Sequence, residues 1–274
     1  MTESGKDFTY SKFAGLDFYK KINTRLLDLA EIGSQRRIVD LGCGSGAVTR
    51  LMLDRLEAAR QTCIYAIDHS ATAIREAVSN LSDRGGTAVK FIQGDVNTLH
   101  ENVENEVDAI VYCNSIHYIP DKASLLAKIK SSLAPGGTFA FNSSFFDGGQ
   151  PEESLDFYRR WMMRSMRLLR KDYNLRPIKS DKVEARKHLT VDAYRDLVED
   201  AGMTVRQMDV MKVQVPLQAW IDISSFRDFI EGSLPGVPLK EASETLKKAV
   251  AETYRDMDIE HVNRNWLSIV AARP

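Results

Sequence analysis

The chain has 274 residues, 43% hydrophobic and 27% charged, a length that suits one α/β domain with inserted elements better than two full domains. Its 37 Lys+Arg against 38 Asp+Glu leave a formal net charge of -1. That balance removes the electrostatic footprint of a general nucleic-acid binder, so no nucleic acid partner is expected and any anion recognition must be local.

Met1 to Lys6 is polar and no apolar run approaches about 18 residues, so neither a signal segment nor a membrane span is expected. Phe8, Tyr10, Phe13, Phe18 and Tyr19 follow at amphipathic spacing and predict a helical cover over residues 1–35. From residue 36 strands and helices alternate. Arg37 to Leu41, Thr62 to Ile67, Ala88 to Gln93, Val107 to Cys113 and Thr138 to Asn142 predict strands. Gly46 to Ala59, Ser70 to Arg84 and Lys122 to Leu133 predict helices, the last stopped by Pro135-Gly136-Gly137. Strands apolar on both faces and separated by helices predict a doubly wound parallel sheet over residues 36–145.

Residues 146–189 predict a helical insertion. Its long helix starts at Pro151-Glu152-Glu153 and runs to about Tyr173, with Leu155, Tyr158, Met162, Met166 and Leu169 on one face and Arg160, Arg164, Arg167 and Lys171 on another. The core resumes over 190–216, with Thr190 as an N-cap, Gly202 as the stop and Thr204 to Val215 as a strand. A second helical insertion over 217–260, broken at Pro235 to Pro238, precedes a closing strand within 261–274. Cys43, Cys63 and Cys113 are odd in number and lack C-x-x-C spacing, so they read as reduced thiols of a cytoplasmic protein.

The run Ile38-Val39-Asp40-Leu41-Gly42-Cys43-Gly44-Ser45-Gly46 carries the clearest chemistry. Glycines let the backbone turn sharply after the strand and pass close to a ligand at the next helix N-terminus. Gly42-x-Gly44-x-x-Ala47 also fits the dinucleotide fingerprint, so the loop alone does not choose the cofactor. Asp68 ends the second strand about 20 residues later, where a carboxylate can accept both hydroxyl protons of a ribose. Gly94-Asp95-Val96 offers a carboxylate and a backbone N–H that suit the edge of an adenine.

Together, Asp40 to Gly46, Asp68, Gly94-Asp95-Val96 and Leu133-Ala134-Pro135-Gly136-Gly137 resemble the class I S-adenosylmethionine-dependent methyltransferases. The likeness is to their small-molecule branch, which includes quinone and carrier-bound-acid methyltransferases. The resemblance covers about residues 8 to 145 well and the closing elements more loosely. It implies a Rossmann-like seven-stranded sheet with its last strand antiparallel, helical lids, and S-adenosylmethionine as cofactor.

It also implies that the Gly42, Cys43, Gly44 and Gly46 loop packs on the methionine part, while Asp40 orients the ammonium. Asp68 with His69 would hold the ribose and Asp95 with Val96 the adenine; Tyr10, Asn114 and Ser115 would complete the cofactor site. A carboxylate at Asp40 is favourable toward a cationic amino acid, whereas it would repel a pyrophosphate.

Methyl transfer from a sulfonium chiefly needs alignment of donor and acceptor, with proton removal where the acceptor demands it. His117, beyond the fourth strand, is the candidate general base and an acceptor-pocket residue; packing is the competing role. Trp161 and Met162 from the first insertion, with Trp220 and Phe226 from the second, are expected to line an apolar acceptor pocket. The cationic stretch from Arg159 to Lys187 is either a solvated face or a reader of an anionic acceptor.

His69, His100, His188 and His261 have no metal-ligand spacing, so no metal site is expected. The expected function is methyl transfer to an O or C atom of a small apolar or amphipathic, free or carrier-bound acceptor. The alternatives are an NAD-dependent oxidoreductase or a non-catalytic S-adenosylmethionine-binding protein.

Overall fold

The computed structural model describes residues 8–56, 62–83, 88–103, 106–178 and 187–274. Seven strands form one sheet: β1 (Arg37–Leu41), β2 (Cys63–Asp68), β3 (Ala88–Gln93), β4 (Val107–Cys113), β5 (Leu133–Ser143), β6 (Thr204–Pro216) and β7 (His261–Ala272). Their order is β3-β2-β1-β4-β5-β7-β6. β1 to β5 pair in parallel, and β7 runs against both β5 and β6. This is the doubly wound sheet that the sequence pattern predicts, with the antiparallel last strand that the family resemblance implies.

The helices are α1 (Ser11–Ala14), α2 (Asp17–Leu29), α3 (Ala47–Leu53), α4 (Ala71–Asn80), α5 (Leu99–Asn102), α6 (Lys122–Ser132), α7 (Leu155–Tyr173), α8 (Val191–Asp200), α9 (Leu217–Ile223), α10 (Arg227–Ser233) and α11 (Leu239–Met257).

The apolar strands are explained by burial on both faces. Val39, Leu41, Ile110 and Tyr112 point to one side, where they pack with Leu125, Leu126 and Ile129 of α6. Ile38, Ala109 and Val111 point to the other, against Leu26 and Leu27 of α2 and Met52 of α3. A third cluster joins α7, α9 and α11 to Phe13, Tyr19 and Trp266. Trp161 of α7, 1% exposed, donates its indole N–H to the Leu246 carbonyl of α11 at 3.0 Å, which fixes the two long helices to each other.

Local stops follow the residues. Thr190 accepts from the Ala193 N–H at 3.0 Å and caps α8, and Gly202 ends it at φ +78. Two expectations change. The helix expected over Gly46 to Ala59 has its regular turns only from Ala47 to Leu53; residues 57–59 lie outside the described residues, as do Arg84 and the basic residues Lys179, Lys182 and Arg186. The Pro135-Gly136-Gly137 turn lies inside β5, where the register against β4 shifts between Val107 and Ala109. Gly136 takes φ +76 there and donates to the Arg273 carbonyl, so the expected turn is a bulge tied to the end of β7. Among the described residues no helix is long and apolar enough to cross a membrane.

Candidate active site: two chambers meeting at Tyr10 and Asn114

The strand order reverses between β1 and β4, and open α/β sheets bind ligands beyond the carboxyl ends of the strands at such a point. Gly42 follows β1 and Asn114 follows β4, so both stand at this crevice. Gly42, Gly44 and Gly46 all have positive φ (67, 54 and 82). A Cβ at Gly44 would meet nothing within 4 Å, whereas one at Gly46 would lie 2.9 Å from Leu81 Cδ1. Gly44 therefore leaves room for a ligand, and Gly46 lets α3 pack on α4. The Gly44 N–H donates to Asp68 Oδ2 at 2.9 Å and the Ser70 N–H to Asp68 Oδ1 at 2.8 Å. Two backbone donors thus orient the carboxylate while leaving it further acceptor capacity.

A cavity of about 640 Å³ opens over this loop, within the range usual for cofactor sites. Its wall includes Tyr10, Gly42, Gly44, Ser45, Asp68, His69, Asp95, Val96, Asn114, Ser115 and Phe226. Asp68, Glu76, Asp95 and Asp228 line it against a single arginine, Arg227. Four carboxylates facing one guanidinium suit a cationic ligand with hydroxyls to donate and would repel a pyrophosphate. The residues present therefore fit S-adenosylmethionine, whose sulfonium and ammonium are positive, better than a dinucleotide. Asp95 Oδ1 also accepts from the Asn97 N–H at 2.7 Å, so it caps the short turn after β3 while standing on the wall.

Three residues expected at the cofactor lie behind this wall. Asp40 is 1% exposed and does not line the cavity; Thr49 Oγ1 donates to its Oδ2 at 2.6 Å. Burial pushes its carboxyl up to about 7, the Thr49 hydrogen bond opposing and the nearby Asp68 charge adding to the rise. Cys43 is buried, and desolvation holds its thiol protonated. Gly46 serves the α3–α4 contact.

A second cavity, of about 360 Å³, lies under the long helices. Tyr10 and Asn114 line both cavities, and Asn114 Nδ2 donates to the Tyr10 hydroxyl at 2.9 Å. Asn114 is held at φ 48; its N–H reaches the Asn142 carbonyl and Oδ1, and its Oδ1 accepts from the Ser144 N–H at 3.2 Å. Asn114 is thus a non-glycine residue held in the left-handed region by its hydrogen bonds to Asn142, Ser144 and Tyr10, at the junction of two cavities. Burial raises the Tyr10 phenol well above its ordinary range, so it stays protonated at neutral pH.

Trp161, Met162 and Trp220 line this second cavity as the sequence predicts, whereas Phe226 lines the first, its ring 5.1 Å from that of Tyr10. Phe229, one turn along α10, takes the place expected of Phe226. His117 reaches neither cavity. It is 2% exposed, stacks on Phe145 at 4.2 Å, and pairs through Nδ1 with Ser143 Oγ at 3.0 Å, while its Nε2 has no partner among the described residues. Burial, then the charges of Arg264, Lys122 and His188, push its pKa well below 6.5, which favours the neutral ring.

Sequence reasoning did not assign Phe145, Tyr158, His188, Arg264 or Trp266 to the acceptor pocket, and the fold brings all five to the second cavity. One signal was available: Val262, Arg264 and Trp266 alternate on the buried face of β7, an arginine inside an apolar period of two. The basic face of α7, by contrast, is largely outward and paired. Arg159 and Arg160 both meet Asp156 at 2.6 Å, and Arg164 meets Glu252 and Asp256. Among the described residues no group of His, Cys, Asp and Glu is arranged to hold a metal ion.

A family model described as a methyltransferase domain matches residues 32–202. Aklanonic acid methyltransferase DauC of Streptomyces sp. (strain C5) is 28% identical, with 52% of this chain and 62% of that protein covered. Malonyl-[acyl-carrier protein] O-methyltransferase of Chlorobium luteolum is 33% identical over 39% of each. The chain spans about half the length of the curated relatives it matches. Among solved structures, a loganic acid methyltransferase with SAH shares the fold, with a TM-score of 0.68 at 12% identity, covering 100% of this chain and 98% of that one. The matched model spans the glycine loop, Asp68, Asp95 and Asn114, and on that match the chain belongs to the class I S-adenosylmethionine-dependent methyltransferases.

Proposed function

We propose that the protein transfers a methyl group from S-adenosylmethionine to an O or C atom of a small apolar or amphipathic acceptor, free or carrier-bound. The observation that carries this reading is the pair of cavities, one lined by carboxylates and one by aromatic rings, that share Tyr10 and Asn114. The cofactor supplies an electrophilic methyl on a sulfonium.

The chain's part is to hold and align. Gly42 and Gly44 admit the amino-acid portion close to the backbone, and Asp68, beside His69, accepts from the ribose hydroxyls. Asp95 and the Val96 N–H take the adenine edge, with Ser115 completing the wall. Asp40, behind the wall, ties the end of β1 to α3 beneath the loop through its Thr49 hydrogen bond. Tyr10 and Asn114, hydrogen-bonded to each other, stand between the donor chamber and the acceptor chamber. Trp161, Met162, Trp220 and Phe229 give the acceptor an apolar bed that excludes water from the reacting atoms.

His117 acts in this scheme by positioning Ser143 and Phe145 rather than by taking a proton. Incubation with methyl-labelled S-adenosylmethionine and a panel of small hydroxylated and carboxylated acceptors tests the reading. Label transfer that is lost in Asp68→Ala supports it. A protein that binds neither S-adenosylmethionine nor S-adenosylhomocysteine overturns it.

A further inference from the structure

The second cavity has a charge that its apolar wall does not explain. Arg264 of β7 lines it and is 7% exposed. Its Nη1 donates to the Tyr158 hydroxyl at 3.0 Å and its Nη2 to the Ser144 carbonyl at 2.9 Å. Its guanidinium also lies 5.1 Å from the centre of the Phe145 ring. Among the described residues no carboxylate stands within ion-pair distance of it, and no Asp or Glu lines the cavity. Arg159 of α7 also stands on this wall, but it is exposed and shares the Asp156 carboxylate with Arg160.

A buried guanidinium without an anion carries a desolvation cost that neutral hydrogen bonds and ring faces offset only in part. Such a cost is tolerated where a ligand brings the missing charge. His117, beside this cavity, is discouraged from protonation by its burial and then by the charges of Arg264, Lys122 and His188.

We propose that Arg264 is the specificity residue of the acceptor chamber and that the acceptor is an amphipathic carboxylate, its carboxylate on the guanidinium and its apolar body among Trp161, Trp220 and Phe229. Resting on the methyltransferase reading, this names the substrate class. The planar, always-charged fork of arginine pairs with a carboxylate through two parallel hydrogen bonds, which fixes orientation as well as affinity. The contact chain from Arg264 through Ser144 to Asn114 connects that anchor to the junction of the two chambers. The two chambers also differ in sign: carboxylates face the cationic donor and a guanidinium faces the anionic acceptor.

All three tryptophans of the chain, Trp161, Trp220 and Trp266, line the acceptor cavity, so intrinsic fluorescence reports its occupancy directly. The experiment titrates the whole protein, with and without S-adenosylhomocysteine, with decanoate and 2-naphthylacetate. Decanamide and 2-naphthylacetamide serve as uncharged counterparts. The carboxylates should bind at least about tenfold more tightly than the amides, as expected for one charge-assisted bidentate contact. In Arg264→Gln that preference should vanish while amide affinity is retained; Arg264→Lys should keep part of it.

The wild-type comparison needs no variant, so a poorly folding Arg264→Gln leaves the test intact. Equal affinity for acids and amides, or no carboxylate binding at millimolar concentration, overturns the proposal. S-adenosylhomocysteine binding without a carboxylate preference refutes this inference alone. A carboxylate preference without S-adenosylhomocysteine binding refutes the methyltransferase reading alone.

Discussion

Asp40 makes stability depend on pH in a direction opposite to that of an ordinary paired carboxylate. Its carboxyl is fully buried under the glycine loop, and burial raises it from 3.8 to about 7. Because the folded value lies above the unfolded one, the neutral acid is the form that the fold prefers. Its contribution to stability is complete below the unfolded value and is lost as pH rises through the folded one. The whole shift corresponds to about 4 kcal/mol at roughly 1.4 kcal/mol per unit, and the part falling between about pH 5 and pH 8 is roughly 2 to 3 kcal/mol.

Asp40→Asn removes the titration and keeps an oxygen for the Thr49 hydroxyl. Urea unfolding of both proteins without cofactor, at about pH 5 and about pH 8, should show the variant gaining on the wild type by that roughly 2 to 3 kcal/mol as pH rises. A stability gap that is flat across this range refutes the reasoning, since the carboxyl would then be ionised at both ends or solvated.

Further predictions follow from the loop and the wall. Gly46→Ala should destabilise the fold by about 1 to 3 kcal/mol, because it strains a positive φ and drives a Cβ against Leu81, and thermal unfolding reads this. Gly44→Ala meets no protein atom and should instead act mainly on the ligand, weakening S-adenosylhomocysteine about tenfold or more with a smaller loss of stability. Burial keeps His117 neutral, so its stability contribution is present above about 6.5 and lost as pH falls below it. His117→Asn should therefore flatten the acid limb of unfolding while leaving the pH profile of methyl transfer unchanged; a displaced transfer profile would return the ring to the chemistry. Tyr10→Phe removes the hydroxyl that accepts from Asn114 and keeps the ring packing, so it should alter turnover more than melting temperature.

The donor half of the site was legible because its demands are local. A loop that needs positive φ at Gly42, Gly44 and Gly46 writes glycine into the chain, and the carboxyl ends of β2 and β3 bring Asp68 and Asp95 to one edge whatever the tertiary detail. Asp40 was legible as an acid but not as a buried one, since the loop that hides it is the same loop that identifies it.

The acceptor half depends on long-range packing. Helical spacing set the inward face of α7 at Leu155, Tyr158, Met162, Met166 and Leu169, whereas the helix buries Phe157, Trp161, Ser165 and Leu169 and leaves Leu155 and Met166 exposed; nor did it separate Phe226, just before α10, from Phe229 within it. The basic residues of α7 drew attention by their number, although most are solvated or paired. The buried cation came from β7, more than ninety positions along from that helix, where only the alternation Val262, Arg264, Trp266 hinted at it. His117 sits where a base would be expected at the end of β4, but Phe145 and Ser143 close over it, a contact that no local pattern announces.

The central claim is that the carboxylate-lined cavity over the glycine loop is the S-adenosylmethionine site. Isothermal titration of the protein with S-adenosylhomocysteine, beside the same titration of Asp68→Ala and of the wild type with NADH, tests it most directly. Saturable one-to-one binding by the wild type, weakened at least about tenfold in Asp68→Ala and absent for NADH, is the predicted result. Wild-type protein that gives no saturable heat with S-adenosylhomocysteine, or that takes NADH as tightly, contradicts the account.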